Sequence, residues 1–267
     1  NNAPYTDVNL SLSSGKGPIK SMVSIGYYKE DGALKYTDYD RASIRTNLAG
    51  EVNKYISMGV NIAGSYSRSS LAATDGRSAL VGLTLISDPR YPAYDQKGDL
   101  IPYYNGVGDI FGFPNPLYLL KNIDRDRNIA DVLANGYIDF NIVKGLKFRT
   151  SVNAKINYNK YKEYIPSTIG LAIATGSNGA PPRLAAERDD AEELKNYTAD
   201  QLLTYNVNFG ENHHLDAMLG YTAQQEVVKG LYGSGNTFPD DLAPFLGNAT
   251  IRSSSSMERK WTMLAYL

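Results

Sequence analysis

This chain is predicted to be all-β, a segment of a transmembrane antiparallel β-barrel with long loops at one end. Three features carry that expectation. Residues 146–158, Leu-Lys-Phe-Arg-Thr-Ser-Val-Asn-Ala-Lys-Ile-Asn-Tyr, alternate strictly: every second side chain is polar and six of the other seven are apolar. Successive side chains of a strand point to opposite faces, so the segment has one apolar and one wet face, as a barrel wall between lipid and water requires. The pattern recurs along the chain, and the connections between its repeats alternate between short and long. Finally, 21 tyrosines against 7 phenylalanines and 1 tryptophan suit a membrane–water boundary, where a ring sits in the apolar layer with its hydroxyl in water.

The first strand is expected at 5–14, where Val8, Leu10 and Leu12 alternate with Asp7, Asn9 and Ser11. Gly15-Lys16-Gly17-Pro18 then makes a tight turn. A second strand, 19–29, places Val23, Ile25 and Tyr27 on one face and ends before Asp31-Gly32. Strands at 39–53 and 56–71 form a hairpin about Lys54-Tyr55. In it Ala42, Ile44, Leu48 and Val52 oppose Arg41, Arg45 and Asn47, while Met58, Val60 and Ile62 oppose Ser57, Asn61 and Ser65. No proline interrupts either strand, so each can donate a full ladder.

Residues 72–127 break the alternation with Pro89, Pro92, Pro102, Pro114 and Pro116. Connections this long are uncommon in compact domains and usually functional. Within this loop, Asp75 is expected to cap a short helix ending at Ile86, and Asn115-Pro116 to start another through Lys121. Strands at 128–142 and 146–161 follow, joined at Lys144-Gly145. A second loop, 162–196, holds Pro166, Pro181, Pro182 and the charged run Glu187 to Glu193. A hairpin of strands 197–209 and 214–229 turns at Gly210-Glu211-Asn212, a third loop spans 230–258, and a last strand runs over 259–267.

Consecutive antiparallel strands turn at opposite ends, so all the short turns fall at one end and the long loops at the other. Outer-membrane barrels show this asymmetry, whereas a soluble β-sandwich, the structural alternative, has no reason to keep it. Strands of about 11–16 residues also exceed the soluble mode of roughly 5–6 and suffice to cross a bilayer. Nine strands is an odd count, and an open sheet in lipid would leave unpaired backbone groups costing several kcal/mol each. Single-chain bacterial barrels are even-numbered, so a segment of a larger barrel is expected.

Composition excludes other classes. The formal charge is −1, from 27 basic and 28 acidic residues, which gives no basic footprint for nucleic acid. Cysteine is absent, ruling out disulfides, thiolate metal sites and cysteine nucleophiles. No stretch approaches the roughly 18 apolar residues of a membrane helix, and no signal-like segment opens the chain. Barrels evade that test because lumen-facing polar residues dilute every strand.

Several stretches resemble one family, the SusC/RagA-type TonB-dependent outer-membrane transporters of Gram-negative bacteria. Asn9-Leu10-Ser11-Leu12-Ser13-Ser14-Gly15 is similar to an early barrel strand of that family. Gly26-Tyr27-Tyr28-Lys29-Glu30-Asp31-Gly32, followed by Tyr39-Asp40-Arg41-Ala42-Ser43-Ile44-Arg45-Thr46-Asn47-Leu48, resembles its next hairpin. Asp88-Pro89 through Tyr94-Asp95-Gln96-Lys97-Gly98, then Asn115-Pro116-Leu117, resembles its long outer loop, and Leu203 to Gly210 with Leu219-Gly220-Tyr221 resembles a later hairpin. The resemblance implies a larger, 22-stranded barrel in the outer membrane. It further implies import of oligosaccharides or peptides with a SusD-like surface lipoprotein, driven through TonB. The plug domain, the TonB-binding segment and the later strands of the family are not found in this sequence.

Candidate site residues follow from chemistry. The first long loop offers Tyr91, Tyr94, Tyr103, Tyr104, Phe111 and Phe113 among Arg90, Asn105 and Asp109. Aromatic faces beside hydrogen-bonding groups grip sugars or peptides, or pack the loop on itself. Arg41, Arg45, Asn47, Asn61, Arg149, Asn153 and Lys155 are expected to face the lumen, against plug, water or cargo. His213 and His214 lie together in a turn, where solvation is expected rather than a metal site. Asp189, Asp190, Glu192 and Glu193, or Asp95 and Asp99, could hold calcium, but without EF-hand spacing they read as solvated loops. No cofactor and no catalytic residue is expected. Function-level rivals are a passive porin or adhesin barrel and an outer-membrane hydrolase.

Overall fold

The computed structural model describes residues 3–15, 17–72, 80–87, 89–104, 113–167, 185–209 and 213–267. Nine long strands dominate it: β1 (Tyr5–Ser14), β2 (Ile19–Asp31), β3 (Asp38–Asn53), β4 (Ile56–Ser70), β5 (Asp124–Val143), β6 (Leu146–Ile165), β7 (Ala186–Phe209), β8 (His213–Asn236) and β9 (Ile251–Tyr266). They form one antiparallel meander in which each strand pairs only with its neighbours in sequence, and β1 and β9 are its two free edges. Sequential hairpins are the simplest connection for antiparallel strands. Here the short connections from β1 to β2, β3 to β4, β5 to β6 and β7 to β8 all fall at one end.

Among the described residues the sheet has no second layer. Ile62, Val152 and Leu219 are 44%, 57% and 64% exposed, and most large apolar side chains of the strands are exposed likewise. In water this surface would far exceed the few hundred Å² that a soluble monomer tolerates; against hydrocarbon it costs nothing. A soluble sandwich is thereby excluded, because its apolar faces would be buried against each other.

Register rows also report strand tilt. One apolar-face row begins Val8, Tyr27, Ala42, Tyr66, Ala130, Tyr158 and then continues Glu193, Lys229, Glu258. A row perpendicular to upright strands would stay at one depth. This one leaves the tyrosine-rich boundary and enters charged territory, as it must when strands lean about 35–45° from the barrel axis.

Strand limits differ from the expected ones in a consistent way. The charged run Glu187–Glu193, expected in the loop 162–196, is instead the start of the 24-residue β7, and β6 continues to Ile165. The expected loop 230–258 shrinks because β8 runs to Asn236 and β9 begins at Ile251, so Ser253–Ser256 are strand. The loop 72–127 likewise loses its end to β5, which begins at Asp124. Above the membrane both faces meet water or the protein's own loops, so the hydrogen-bond ladder continues after the apolar alternation has lapsed. Strands of 24 residues reach about 80 Å, well beyond the 9–11 residues that cross a bilayer.

Among the described residues, apolar burial gathers toward the long-loop end. α1 (Leu80–Ile86) packs on α2 (Pro116–Asn122) through Leu83 and Leu119, with Tyr118, Ile123 and Ile165 against them. This seats the first loop on the rim of β6. The expected start of α1 at Asp75 lies outside the described residues.

Candidate functional site: the polar wall and its outer loops

The polar face of the sheet carries a side-chain ladder running across the strands. Asn61 Nδ2 donates to Asn135 Oδ1 at 3.1 Å, Asn135 Nδ2 to Asn153 Oδ1 at 2.5 Å, and Asn153 Nδ2 to Asp200 Oδ2 at 3.1 Å. Thr222 Oγ1 closes the series on Asp200 Oδ1 at 2.8 Å. The asparagines are register neighbours on β4, β5 and β6, preceded on β3 by Asn47. A carboxamide has two donor hydrogens and two acceptor lone pairs. Asn135, mid-ladder, therefore keeps one of each for a ligand or water. Alternation within β5 and β7 could have nominated Asn135 and Asp200; what it cannot show is that register sets Asn135 between Asn61 and Asn153, with Asp200 one diagonal step further on.

All seven residues expected on the lumen side share this polar face, but they are not equivalent. Arg45, Asn47, Asn61, Asn153 and Lys155 border one groove of about 300 Å³, and Arg41 and Arg45 border another of about 340 Å³. Arg149 is committed elsewhere. It makes a two-pronged contact to Asp139 at 2.5 and 2.7 Å, stacks over the Tyr137 ring at 4.7 Å, and shares Asp139 with Lys147 at 2.9 Å. Asp139 is 4% exposed, so this cluster braces the wall near the short turns.

In the first outer loop, Asn115 is the organiser. It is 1% exposed. Its Nδ2 donates to Ala93 O at 2.9 Å and Ile101 O at 2.8 Å, while its Oδ1 accepts from Leu117 N at 3.0 Å. One side chain thus caps α2, with Pro116 in the first helical turn where a missing N–H costs nothing, and pins a small hairpin. That hairpin turns at Asp95, whose Oδ1 accepts from Lys97 N and Asp99 N at 2.8 and 2.9 Å, with Gly98 at φ 87°. Asp95 thus shapes its own turn, in keeping with a loop role for it. Among the described residues no group of three His, Cys, Asp or Glu could hold a metal.

The hairpin presents Tyr94, which is 44% exposed, with Tyr91 half-buried beside it and Arg90 exposed. Tyr103 and Tyr104 pair through their backbones with Pro114 and Phe113. Asn105, Asp109 and Phe111 lie outside the described residues.

The loop joining β8 to β9 folds over the strand extensions. Asp241 accepts from Tyr164 Oη at 2.7 Å, Ser167 N at 2.9 Å and Ser167 Oγ at 2.6 Å. Burial pushes its carboxyl up, but the bonds from Ser167 and Tyr164 together outweigh burial and hold it below its ordinary value. Lys162 donates to Pro244 O at 3.0 Å and lies over the Phe245 ring. Glu187 sits under this loop, 2.9 Å from Lys162 but outside hydrogen-bond geometry. It is 3% exposed, and Asp189, Asp190, Glu192 and Glu193, expected in a solvated loop, lie with it in β7. At the opposite end His213 and His214, expected in a turn, are the first residues of β8, and His214 is engaged by Asn208 and by Asp216 at 2.7 Å.

With this geometry in place, comparison with known proteins is informative. No protein-family model matches the chain. Curated relatives from Formosa agariphila include TonB-dependent receptor P3, 24% identical over 240 residues, covering 87% of this chain and 23% of the relative. TonB-dependent receptor P26 is 22% identical, covering 84% of this chain and 21% of its own length. Among solved structures, the RagAB peptide importer in its closed-closed state superposes with a TM-score of 0.77 at 18% identity, covering 99% of this chain and 30% of that one. The ferripyoverdine receptor of the Pseudomonas aeruginosa outer membrane gives 0.50 at 12% identity, covering 98% and 33%. The chain thus spans about a quarter of the curated relatives it matches.

A one-layer meander, exposed and apolar on one side and polar on the other, with short turns at one end, is the wall of an outer-membrane β-barrel, and its relatives are TonB-dependent. Within that class the sheet superposes far better on the RagAB importer than on the ferripyoverdine receptor, a likeness of fold.

Proposed function

We propose that this chain is part of a TonB-dependent nutrient importer that takes up oligosaccharides or peptides together with a SusD-like surface lipoprotein. In this reading the apolar face meets lipid, the polar face lines the lumen, and the loop stapled by Asn115 takes part in holding cargo beneath the lipoprotein. The observation that carries it is the amide ladder from Asn61 to Asp200, hydrogen-bonded across four strands on the face opposite the exposed apolar side chains. A lipid-facing wall could not carry it, because unsatisfied amide groups in hydrocarbon are costly. A dry core would not leave it beside open grooves. No bond is made or broken in such a function; the wall guides and the loops select.

The test is uptake by cells expressing the full-length transporter. Accumulation of labelled oligopeptides and oligosaccharides is measured with TonB present, with TonB deleted, and with the partner lipoprotein gene deleted. Uptake of one cargo class that needs both is expected. Uptake indifferent to TonB would make the barrel a passive pore.

A further inference from the structure

We propose that Arg41 and Arg45 clamp carboxylate groups of the cargo, which makes the imported oligomer an acidic one. The proposal rests on the import reading above and deepens it. Both arginines are exposed on the polar face of β3 and border the same groove of about 340 Å³, a volume typical of small-ligand sites. Four residues apart on one strand, they stand about 13 Å from each other. Neither guanidinium has a hydrogen-bond or ion-pair partner among the described residues, although most other charges on this wall do. Arg149 is held by Asp139, Arg125 by Glu163 and Arg188 by Asp190. The one acid lining the groove, Asp131, accepts from Asn157 at 2.7 Å.

The floor between the two arginines is built from small side chains. Ser43 lies between them on β3, with Ser24 on β2 and Ala63 and Ser65 on β4. Gly26 belongs to the same patch; a Cβ there would come within 2.5 Å of Asn9 Oδ1 and 2.9 Å of Ser43 Oγ. A shallow floor of hydroxyls lets an extended chain approach the wall, and two fixed forks of guanidinium donors above it match carboxylate geometry. Carboxylates on alternate residues of an extended peptide lie on one side, and those four residues apart repeat at the same 13 Å. Uronic-acid residues of an oligosaccharide present the same group.

The experiment uses the full-length transporter in detergent, wild type and the double variant Arg41→Gln, Arg45→Gln, with isothermal titration calorimetry at low and high salt. Probes are a seven-residue peptide with Asp at positions 2 and 6, its Asn counterpart, a trigalacturonate and maltotriose. At least a tenfold loss of affinity for one acidic probe is expected in the double variant, with its neutral counterpart unaffected and the salt dependence reduced. Which acidic probe responds assigns the source. Arg45→Lys, which keeps the charge but loses the fork, should lie in between. Equal wild-type affinity for acidic and neutral probes, or acidic binding untouched by the double variant, overturns the proposal. So does a drop in thermal midpoint with acidic binding intact, which would give the arginines to a contact within the protein. Arginine-dependent binding without TonB-dependent uptake would remove the import reading and leave the clamp.

Discussion

Replacing Ile62 with arginine tests the assignment of faces most sharply when set against the same replacement at its neighbour Asn61. Ile62 is on the apolar face of β4 and 44% exposed. It lies four residues below Tyr66, about 13 Å along the strand, or about 10 Å in depth once a tilt near 40° is allowed. With an apolar band about 25 Å tall, that is close to the midplane, where arginine costs about 2–4 kcal/mol. Asn61→Arg instead places the charge on the polar face and removes one hydrogen bond, Asn61 to Asn135, worth about 0.5–1.5 kcal/mol. The expected gap is therefore about 2 kcal/mol in favour of the Asn61 variant. Urea unfolding of the full-length transporter in lipid vesicles, followed by tryptophan fluorescence, measures it. Equal costs, or a larger cost at Asn61, would refute the assigned faces.

Two further substitutions probe the loops. Asn115→Ala should leave Ile101 O and Leu117 N without partners, at about 1–3 kcal/mol for each group kept from water, while Ala93 O keeps its bond from Ile101 N. Hydrogen exchange should then quicken across 91–122 while β5 and β6 stay protected. The Asp241 clasp should depend on pH. Its folded carboxyl lies below the ordinary value of 3.8, so its contribution is complete above that value and disappears as pH falls through the lower, folded one. Hydrogen exchange in 237–250 should therefore rise below pH 3.8, and Asp241→Asn should show the faster exchange already at neutral pH.

The meander, its short turns and the identity of its faces were legible because the membrane imposes them residue by residue. Val8, Leu10, Val23, Ile25, Val60 and Ile62 all point toward one solvent. Where the strands rise above lipid that constraint stops, and Glu187 to Glu193 and Ser253 to Ser256 read as loop although they continue the ladder. Both helices were legible in part: Asn115-Pro116 gave the start of α2, with the side chain capping as its chemistry demands. Partners across strands were not legible. Nothing local in the sequence aligns Asn61 with Asn135, Asn153 and Asp200, which are far apart in the chain. That register also separates Arg149, held by Asp139, from Arg41 and Arg45, which parity alone had placed together.

Spin labelling tests the central claim most directly. This chain contains no cysteine, so single cysteines at Ile62, Val152 and Leu219, and at Asn61, Asn153 and Lys155, can each carry a nitroxide in the full-length transporter reconstituted in lipid. Collision rates with oxygen, which concentrates in hydrocarbon, and with a water-soluble nickel chelate then report each label's solvent. The first three are predicted to favour oxygen and the second three not to; a pattern of protein-buried labels at Ile62, Val152 and Leu219, reached by neither agent, would contradict the account.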